Sequence, residues 1–364
     1  MKNNLLTALT IISILLLGSC SEDDEPMGPI VVTVDGATVS PNVGGPNMPN
    51  QVFFDLSTNI ATEVNRTSWD LGFSSMQDRV IINGSILMMA ARLSTNDMTA
   101  VNSTNPEVQQ LQPQAEVGNF NPANMEFIDA PDGNISGTAI DAVSSVDSNN
   151  NVYLINLGYE VGVDQPNSGS SNYKGDARGW KKIRILKDGE NYLLQYANLD
   201  DTTFQTTTIN KNPSFHYTFF SFNTESVVSV EPQKEEWDLC YTVFTNEAVF
   251  GGQSYGAYAY ADFITNNIKS SARAYMIDEA EEGITYEDFS LLDVVDSNFE
   301  NDQRSIGSTW RNGGGPSASP SLIEDIFYVI HDANGNYYKL QFLALTSPSN
   351  ERGYPQFAYK LLEE

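Results

Sequence analysis

The chain has 364 residues, 40% of them apolar, and carries 47 acidic against 19 basic side chains, a formal net charge of −28. This balance excludes nucleic acid as an expected partner, because a polyanion is bound by a basic surface. The length allows one large domain or two ordinary ones, and its many aromatic and β-branched residues favour sheets over helices.

Residues 1–20 are predicted to be an export signal of the lipoprotein type. An early lysine precedes an apolar run too short to span a bilayer as a helix, and the Leu-Gly-Ser-Cys that follows resembles a bacterial lipobox. Cys20 would then become the lipidated N-terminus of an outer-membrane lipoprotein. The acidic tether at 21–29 resembles the surface-export signal of Bacteroidetes lipoproteins, which predicts display at the cell surface.

An internal repeat organises the rest of the chain. Trp69 and Trp237 are both followed by Asp-Leu, and both motifs lead through an apolar strand into a glycine turn. We expect the two indoles to lie in equivalent cores, with each aspartate facing away and bonding a turn. A hairpin pattern also occurs twice, at 183–197 and 327–344, each around an Asp-Gly or Asn-Gly turn. The same order of elements twice indicates duplication.

The duplication predicts an all-β fold of two antiparallel domains in tandem, each a β-sandwich or partly open barrel. The boundaries are 30–210 for the first domain and 211–364 for the second. A polar insertion at about 94–150 in the first domain is predicted to be a solvated loop. The segment 271–282 is the strongest candidate for a helix or helical turn.

Three features make the chain resemble the HmuY-like family of Bacteroidetes surface lipoproteins, in a duplicated form. They are the lipobox cysteine, the Trp-Asp-Leu strand before a glycine-rich turn, and the closing hairpin sequence GNYYKLQF at 335–342. The resemblance implies an all-β haemophore rather than an enzyme. Such a protein takes haem from a haemoprotein and holds the iron between two axial His or Met ligands. It then passes the haem to a TonB-dependent outer-membrane receptor.

The candidate axial ligands depart from the family pattern. Between the glycine-rich turn and the closing hairpin of the second unit there is no histidine, and the single methionine is Met276. The other candidates are His331, His216, Met88 and Met89. Adjacent methionines in a strand face opposite ways, so only one of Met88 and Met89 can point into a slot. As an alternative to iron ligation, the methionines would simply fill the core and the histidines would have structural or surface roles; the sequence leaves both alternatives open. No metal other than haem iron is expected.

Exposed aromatic residues offer a second kind of binding surface, made of Tyr255, Tyr258, Tyr260 and Trp310. Such a surface stacks on a flat ligand, a sugar or a partner protein. The rival hypothesis is therefore a glycan- or protein-binding module that has lost the haem site. The sequence GQSYG at 252–256 fits a hydrolase nucleophile elbow, but the alternating residues after it predict a strand where an elbow requires a helix.

Overall fold

The structure, a computed structural model, describes residues 33–314 and 318–363. Cys20 and the acidic tether at 21–29 lie outside the described residues. Nearly all regular structure in the described ranges is antiparallel β-strand, and the sheets are open rather than closed into a barrel. The all-β prediction is confirmed.

The strands, in chain order, are β1 (Gly36–Val39), β2 (Asn50–Asp55), β3 (Ile60–Asn65), β4 (Leu71–Ser74), β5 (Val80–Ile82), β6 (Met89–Arg92), β7 (Tyr153–Asn156), β8 (Trp180–Asp188), β9 (Asn191–Asn198), β10 (Gln205–Ile209), β11 (Tyr217–Ser221), β12 (Ser226–Val228), β13 (Leu239–Phe250), β14 (Gln253–Asn266), β15 (Arg273–Asp278), β16 (Arg311–Asn312), β17 (Ser321–Leu322), β18 (Ile326–His331), β19 (Tyr337–Thr346) and β20 (Arg352–Leu361).

Helices are short. The α-helices are α1 (Pro106–Leu111) and α2 (Glu279–Glu282), and the 3-10 turns are Gly45–Asn47, Arg66–Ser68, Gly84–Ile86, Met98–Ala100, Pro122–Phe127, Ile135–Gly137, Asp147–Asn149, Ile268–Ser270, Leu291–Asp293 and Asp296–Asn298. In the part of the chain that the structure describes, no helix is long and apolar enough to cross a membrane.

Four sheets carry the fold. Sheet I has the strand order β10-β9-β8-β7-β6, and sheet II has the order β1-β20-β19-β18-β15. Sheet III has the order β12-β11-β4-β5, and sheet IV has the order β14-β13-β2-β3, while β16 and β17 form a small ribbon. One apolar cluster joins sheets I and III through residues such as Ile183 and Phe73, and another joins sheets II and IV through Tyr338 and Phe54. The result is two β-sandwiches.

The two sandwiches exchange hairpins. In sheet III, β11 pairs with β4, which sets Tyr217 opposite Ser74, and in sheet IV, β13 pairs with β2, which sets Leu239 opposite Phe54. Strands from before and after the predicted boundary near residue 210 are thus interleaved, and the described chain forms one compact unit by its contacts. The boundary itself stays a prediction about the sequence repeat.

Both repeated hairpins form as expected, as β8–β9 and β18–β19. Gly189 and Gly335 at their turns have φ values of 60° and 91°, in the left-handed region that favours glycine. The helical prediction for 271–282 is wrong for most of its length. Pairing with β18 makes the first part strand β15, and only Glu279–Glu282 is helical, which shows tertiary pairing overriding local propensity.

Two buried lysines each anchor a polar segment, the insertion at 94–150 and the loop that follows α2. Lys182 Nζ donates to the carbonyl of Val101 at 2.6 Å, and Lys339 Nζ donates to the carbonyls of Tyr286 at 2.5 Å and Phe289 at 2.9 Å. Burial lowers the pKa of both ammonium groups, while the carbonyl oxygens satisfy their hydrogen bonds. Part of the insertion at 94–150 also packs as core, since Val101, Val108 and Ala115 are buried in an apolar cluster, so it is not a solvated loop over its whole length.

Candidate functional site

The tryptophans of the two Trp-Asp motifs lie in one buried cluster. Trp69 and Trp237 share one apolar cluster with Phe53, Phe219 and Cys240. The Phe53 ring lies edge-on to Trp237, with 5.1 Å between ring centroids, and Phe219 meets Trp69 in the same way at 4.8 Å. The indoles were expected in two equivalent cores. The exchanged hairpins instead bring them into a single cluster.

The aspartate after each tryptophan fixes the exchanged hairpin of the other sandwich. Asp70 Oδ2 accepts a hydrogen bond from the backbone N–H of Phe222 at 2.6 Å, and Asp238 Oδ2 accepts one from the backbone N–H of Leu56 at 2.9 Å. All four groups are buried. These matched bonds agree with the prediction that each aspartate binds a turn.

A cavity of about 180 Å³, called here the central cavity, lies beside the tryptophan cluster. Three ionisable side chains, Asp129, Glu231 and Lys269, border it, and each comes from a different segment of the chain. The remaining wall is mainly aromatic and aliphatic, so charged groups meet an otherwise apolar space. The wall includes members of the tryptophan cluster, namely Phe53, Trp69, Tyr217, Phe219, Trp237 and Cys240.

The two carboxyl groups at the central cavity accept hydrogen bonds from backbone N–H groups. Asp129 accepts from the N–H groups of Ile82 at 2.8 Å and Ala139 at 3.0 Å, and Glu231 accepts from the N–H of Tyr217 at 2.9 Å. Burial disfavours the ionised form and raises the pKa of each acid to about 7, although these hydrogen bonds act in the opposite direction. Near neutral pH, both acids are therefore protonated to a larger extent than they would be in water.

Lys269 supplies the positive charge at this cavity. Its Nζ lies 5.4 Å from the centre of the Tyr217 ring, and among the described residues it has no hydrogen bond and no ion pair within 4.0 Å. The side chain keeps accessible surface because it lines open space. Surrounding protein nevertheless lowers the pKa of the ammonium by desolvation, against the attraction of Glu231 and Asp129.

A second hollow, called here the outer recess, adjoins the central cavity. Its volume is about 520 Å³, within the range of small-molecule sites. The recess is bordered by the turn after β4, the start of β11 and the loop after β14, together with part of the first insertion. The residues common to the central cavity and the outer recess are Gly133, Asn134, Ile135, Tyr217 and Lys269.

The outer recess holds one histidine and one methionine, His216 and Met76. The N–H of Ser75 donates to the carbonyl of His216 at 2.9 Å, which holds the two segments together. Burial lowers the pKa of His216 to about 4, so its imidazole is neutral at pH 7, and its Nε2 is 2.9 Å from Ser270 Oγ. The Met76 side chain is 71% exposed. Its Sδ accepts a hydrogen bond from Lys234 Nζ at 3.4 Å.

Met76 was not among the candidates from the sequence. It lies in the turn between β4 and β5, where no alternation of apolar and polar residues indicates which side chains lie nearby. Its proximity to His216 depends on the pairing of β4 with β11, which joins strands from the two halves of the chain. A long-range contact of this kind leaves no local signal in one sequence.

Met276 and His331 lie on opposite faces of sheet II. His331 stands directly opposite Arg273, and Met276 is three residues further along β15, opposite Tyr328. Side chains alternate between faces along a strand, so an odd separation reverses the direction. These two candidates cannot hold one iron between them.

Met88 and Met89 are fully buried and belong to different apolar clusters: Met88 to the one between sheets I and III, and Met89, on β6 of sheet I, to the cluster that also joins sheets II and IV. Met88 also borders the central cavity. Neither thioether faces the outer recess. The structure therefore brings only His216, of the five sequence candidates, to an open hollow.

The aromatic surface is present in part, on the hairpin β13–β14. Tyr255 and Tyr258 are 37% and 40% exposed, and Tyr260 is half-buried. Phe250 and Phe120, which the sequence reasoning missed, extend the surface. Phe250 lies edge-on to Tyr255, and Phe120 packs near Tyr258. These rings are called here the hairpin aromatic surface.

Trp310 does not belong to that surface. It is 1% exposed and stacks on Phe342, with 4.2 Å between ring centroids. Trp310 was expected to be exposed, but it directly precedes β16, whose partner β17 lies against β19 of sheet II.

Other chemistry finds little support. Ser254 lies in strand β14, so no helix follows it as a nucleophile elbow requires. Within residues 33–314 and 318–363, no group of three or more His, Cys, Asp or Glu side chains is placed to hold a metal ion.

The sequence pattern of the HmuY protein family matches residues 47–359. No curated protein matches the chain significantly. Among solved structures, the apo HmuY analogue of Tannerella forsythia is 17% identical, covers 47% of this chain and 90% of its own, and has a TM-score of 0.21.

Two further structures are similar at the same level. A protein of Bacteroides vulgatus described as HmuY-like and haem-binding is 9% identical over 91% of this chain and 93% of its own, with a TM-score of 0.24. Apo PinO from Porphyromonas gingivitis is 13% identical over 50% of this chain and 95% of its own, with a TM-score of 0.16. These TM-scores are too low for the three structures to inform the site.

Proposed function

Because the chain belongs to the HmuY family, whose pattern spans residues 47–359, we propose that it captures haem or a related tetrapyrrole and is not an enzyme. The observation that supports a site is the outer recess. It is large enough for a small-molecule ligand. It also places an imidazole and a thioether on one hollow, a donor pair that suits haem iron.

The outer recess brings two possible iron ligands together, which the other candidates from the sequence, Met276, His331, Met88 and Met89, do not do. Met76 and His216 would hold the iron, while Tyr217 and Ile135 would face the macrocycle. Lys269 offers a cation for a haem carboxylate. Coordination by His216 would replace its hydrogen bond with Ser270. Bound haem would supply an iron centre and its absorption spectrum, and this chain's residues would select and orient it.

The cellular setting is part of the same proposal. Cys20 carries lipid that anchors the chain in the outer membrane, the acidic tether at 21–29 directs it to the surface, and a TonB-dependent receptor accepts the ligand. A host or environmental haemoprotein would be the source. Support comes from the lipobox sequence and from family membership.

The experiment is a hemin titration of the C20S chain without its signal segment. We expect a saturable, sharpened Soret band. M76A and H216A should each shift or weaken the band, because each removes one donor from the recess. M276A is the matched control, since Met276 is also exposed but lies on sheet II away from the recess. Equal spectra for free and protein-mixed hemin would contradict the proposal.

A second candidate function rests on the hairpin aromatic surface. Exposed tyrosines next to phenylalanines stack on sugar rings or on a partner protein, and Tyr255 and Tyr258 are both exposed. If hemin does not bind, glycan-array binding by the wild type that is lost in Y255A and Y258A would favour this function.

A further inference from the structure

The tryptophan cluster is symmetric in its ring packing but not in its hydrogen bonds. Trp69 Nε1 donates to Gln51 Oε1 at 2.8 Å. Trp237 Nε1 is buried and has no partner among the described residues. Gln51 precedes Phe53 by two residues, and Tyr217 holds the corresponding place before Phe219, so the second half has no amide there. The side of the central cavity that carries Trp237 therefore has a spare donor.

Lys269 is a second donor at the same cavity without an acceptor in the part of the chain that the structure describes. The nearby acids Asp129 and Glu231 accept backbone hydrogen bonds instead, as described above. An ammonium and an indole N–H that both lack acceptors call for a ligand that brings one. The indole N–H is buried, and a buried donor without an acceptor is costly, whereas the exposed ammonium of Lys269 is hydrated until a ligand brings a carboxylate.

We propose that the central cavity binds a small aromatic acid, its ring against the tryptophan cluster and its carboxylate at Lys269. The site adjoins the outer recess and shares Lys269 with it, and its ligand goes beyond haem capture. A carboxylate satisfies the free ammonium by a charge-assisted hydrogen bond, whereas a cationic ligand would have to displace Lys269 from its place beside two acids. The spare N–H of Trp237 offers a further donor on the same wall.

The size of the cavity limits the ligand to one ring with a small substituent. Cavities of about 150 Å³ in apolar protein interiors take up benzene, and the central cavity measures about 180 Å³. The aromatic wall suits a planar guest, since Phe53 and Phe219 already meet the indoles edge-on. The residues shared with the outer recess, including Gly133 and Tyr217, give the side from which a ligand would enter.

The test uses benzoate and its neutral counterpart benzyl alcohol as probes, titrated by calorimetry into the hemin-free protein. We expect saturable benzoate binding that is roughly tenfold or more tighter than that of benzyl alcohol, as a hydrogen bond to a charged group implies. K269M should bring benzoate down to the level of benzyl alcohol. K360M, which removes an exposed lysine of β20, should leave it unchanged.

A second variant keeps the test independent of any folding defect in K269M. W237F retains a ring but removes the spare indole N–H, so benzoate affinity should fall several-fold, and a cooperative thermal transition should show that the variant still folds despite its smaller ring. Equal affinity for the two probes, unchanged benzoate binding by K269M, or no saturable binding by either probe would overturn the proposal. Because hemin is absent, a failed hemin titration has no bearing on these results.

Discussion

Asp70 and Asp238 hold the same place in the two halves of the molecule, yet their charges are balanced differently. Asp70 Oδ1 accepts a hydrogen bond from Arg178 Nη1 at 2.6 Å, and both side chains are almost fully buried. Asp238 has no cation within 4.0 Å among the described residues. It accepts backbone hydrogen bonds from Leu56 and Ala333, at 2.9 Å and 2.8 Å.

Asp70 performs two tasks, and Asp238 performs only one of them. Each aspartate binds the backbone of an exchanged hairpin, and this task is common to both halves. Only the first half also neutralises the buried charge. At Asp238, burial raises the pKa to about 7, and the nearby carboxyl groups of Asp332 and Asp55 act in the same direction. The repeat thus conserves geometry more closely than electrostatics.

The largest expected effect comes from breaking the ion pair in the first half. D70N should lower the free energy of unfolding by about 3–5 kcal/mol, because it leaves the buried Arg178 without its closest counter-charge. Urea denaturation gives the value. D238N is the matched comparison and should cost less, since no cation loses its partner there. Equal losses in the two variants would contradict the distinction drawn between the halves.

D238N tests the second half through pH. The pKa of Asp238 is about 7 in the folded chain and about 3.9 in an unfolded one. Between these values the folded state binds more protons, so this group's contribution to stability falls as pH rises from about 4 to 7. An amide retains one acceptor but does not titrate. D238N should therefore lose about 1–3 kcal/mol at pH 5, and less at pH 8.

The measurement is urea unfolding of wild type and D238N at both pH values. Asp129 and Glu231 titrate in the same range with the same sign, so the slope for the variant should be shallower rather than zero. A destabilisation that is the same at pH 5 and pH 8 would show that Asp238 stays ionised in the folded state.

The sequence was sufficient for features that depend on neighbours along the chain. Alternation predicted that Met88 and Met89 face opposite ways, and they lie in different clusters. The Asp-Gly and Asn-Gly pairs predicted both hairpin turns, because only a few residue types tolerate their backbone geometry. The Trp-Asp-Leu repeat predicted matched roles for Asp70 and Asp238.

Features that depend on distant partners could not be predicted. The repeat does not reveal that each hairpin pairs with the other unit, since an exchanged and an unexchanged arrangement bury the same residues. That Met76 and His216 border the same recess follows from that exchange. The burial of Trp310 against Phe342 likewise depends on the pairing of β16 with β17. Residue chemistry could name candidate ligands, but which of them lie at one hollow depends on the strand pairing.

The smallest expected effect compares the two indoles. W69F and W237F remove the same atoms from the shared cluster, so their losses of apolar contact should be similar. W69F in addition leaves the buried Gln51 Oε1 without its donor, which adds about 1 kcal/mol. W237F removes an N–H that has no partner in the described residues. Urea denaturation without added ligand should therefore show W69F to be the less stable variant. Equal destabilisation of W237F would mean that the Trp237 indole of the wild type has an acceptor in solution. The asymmetry on which the proposed aromatic-acid binding rests would then disappear.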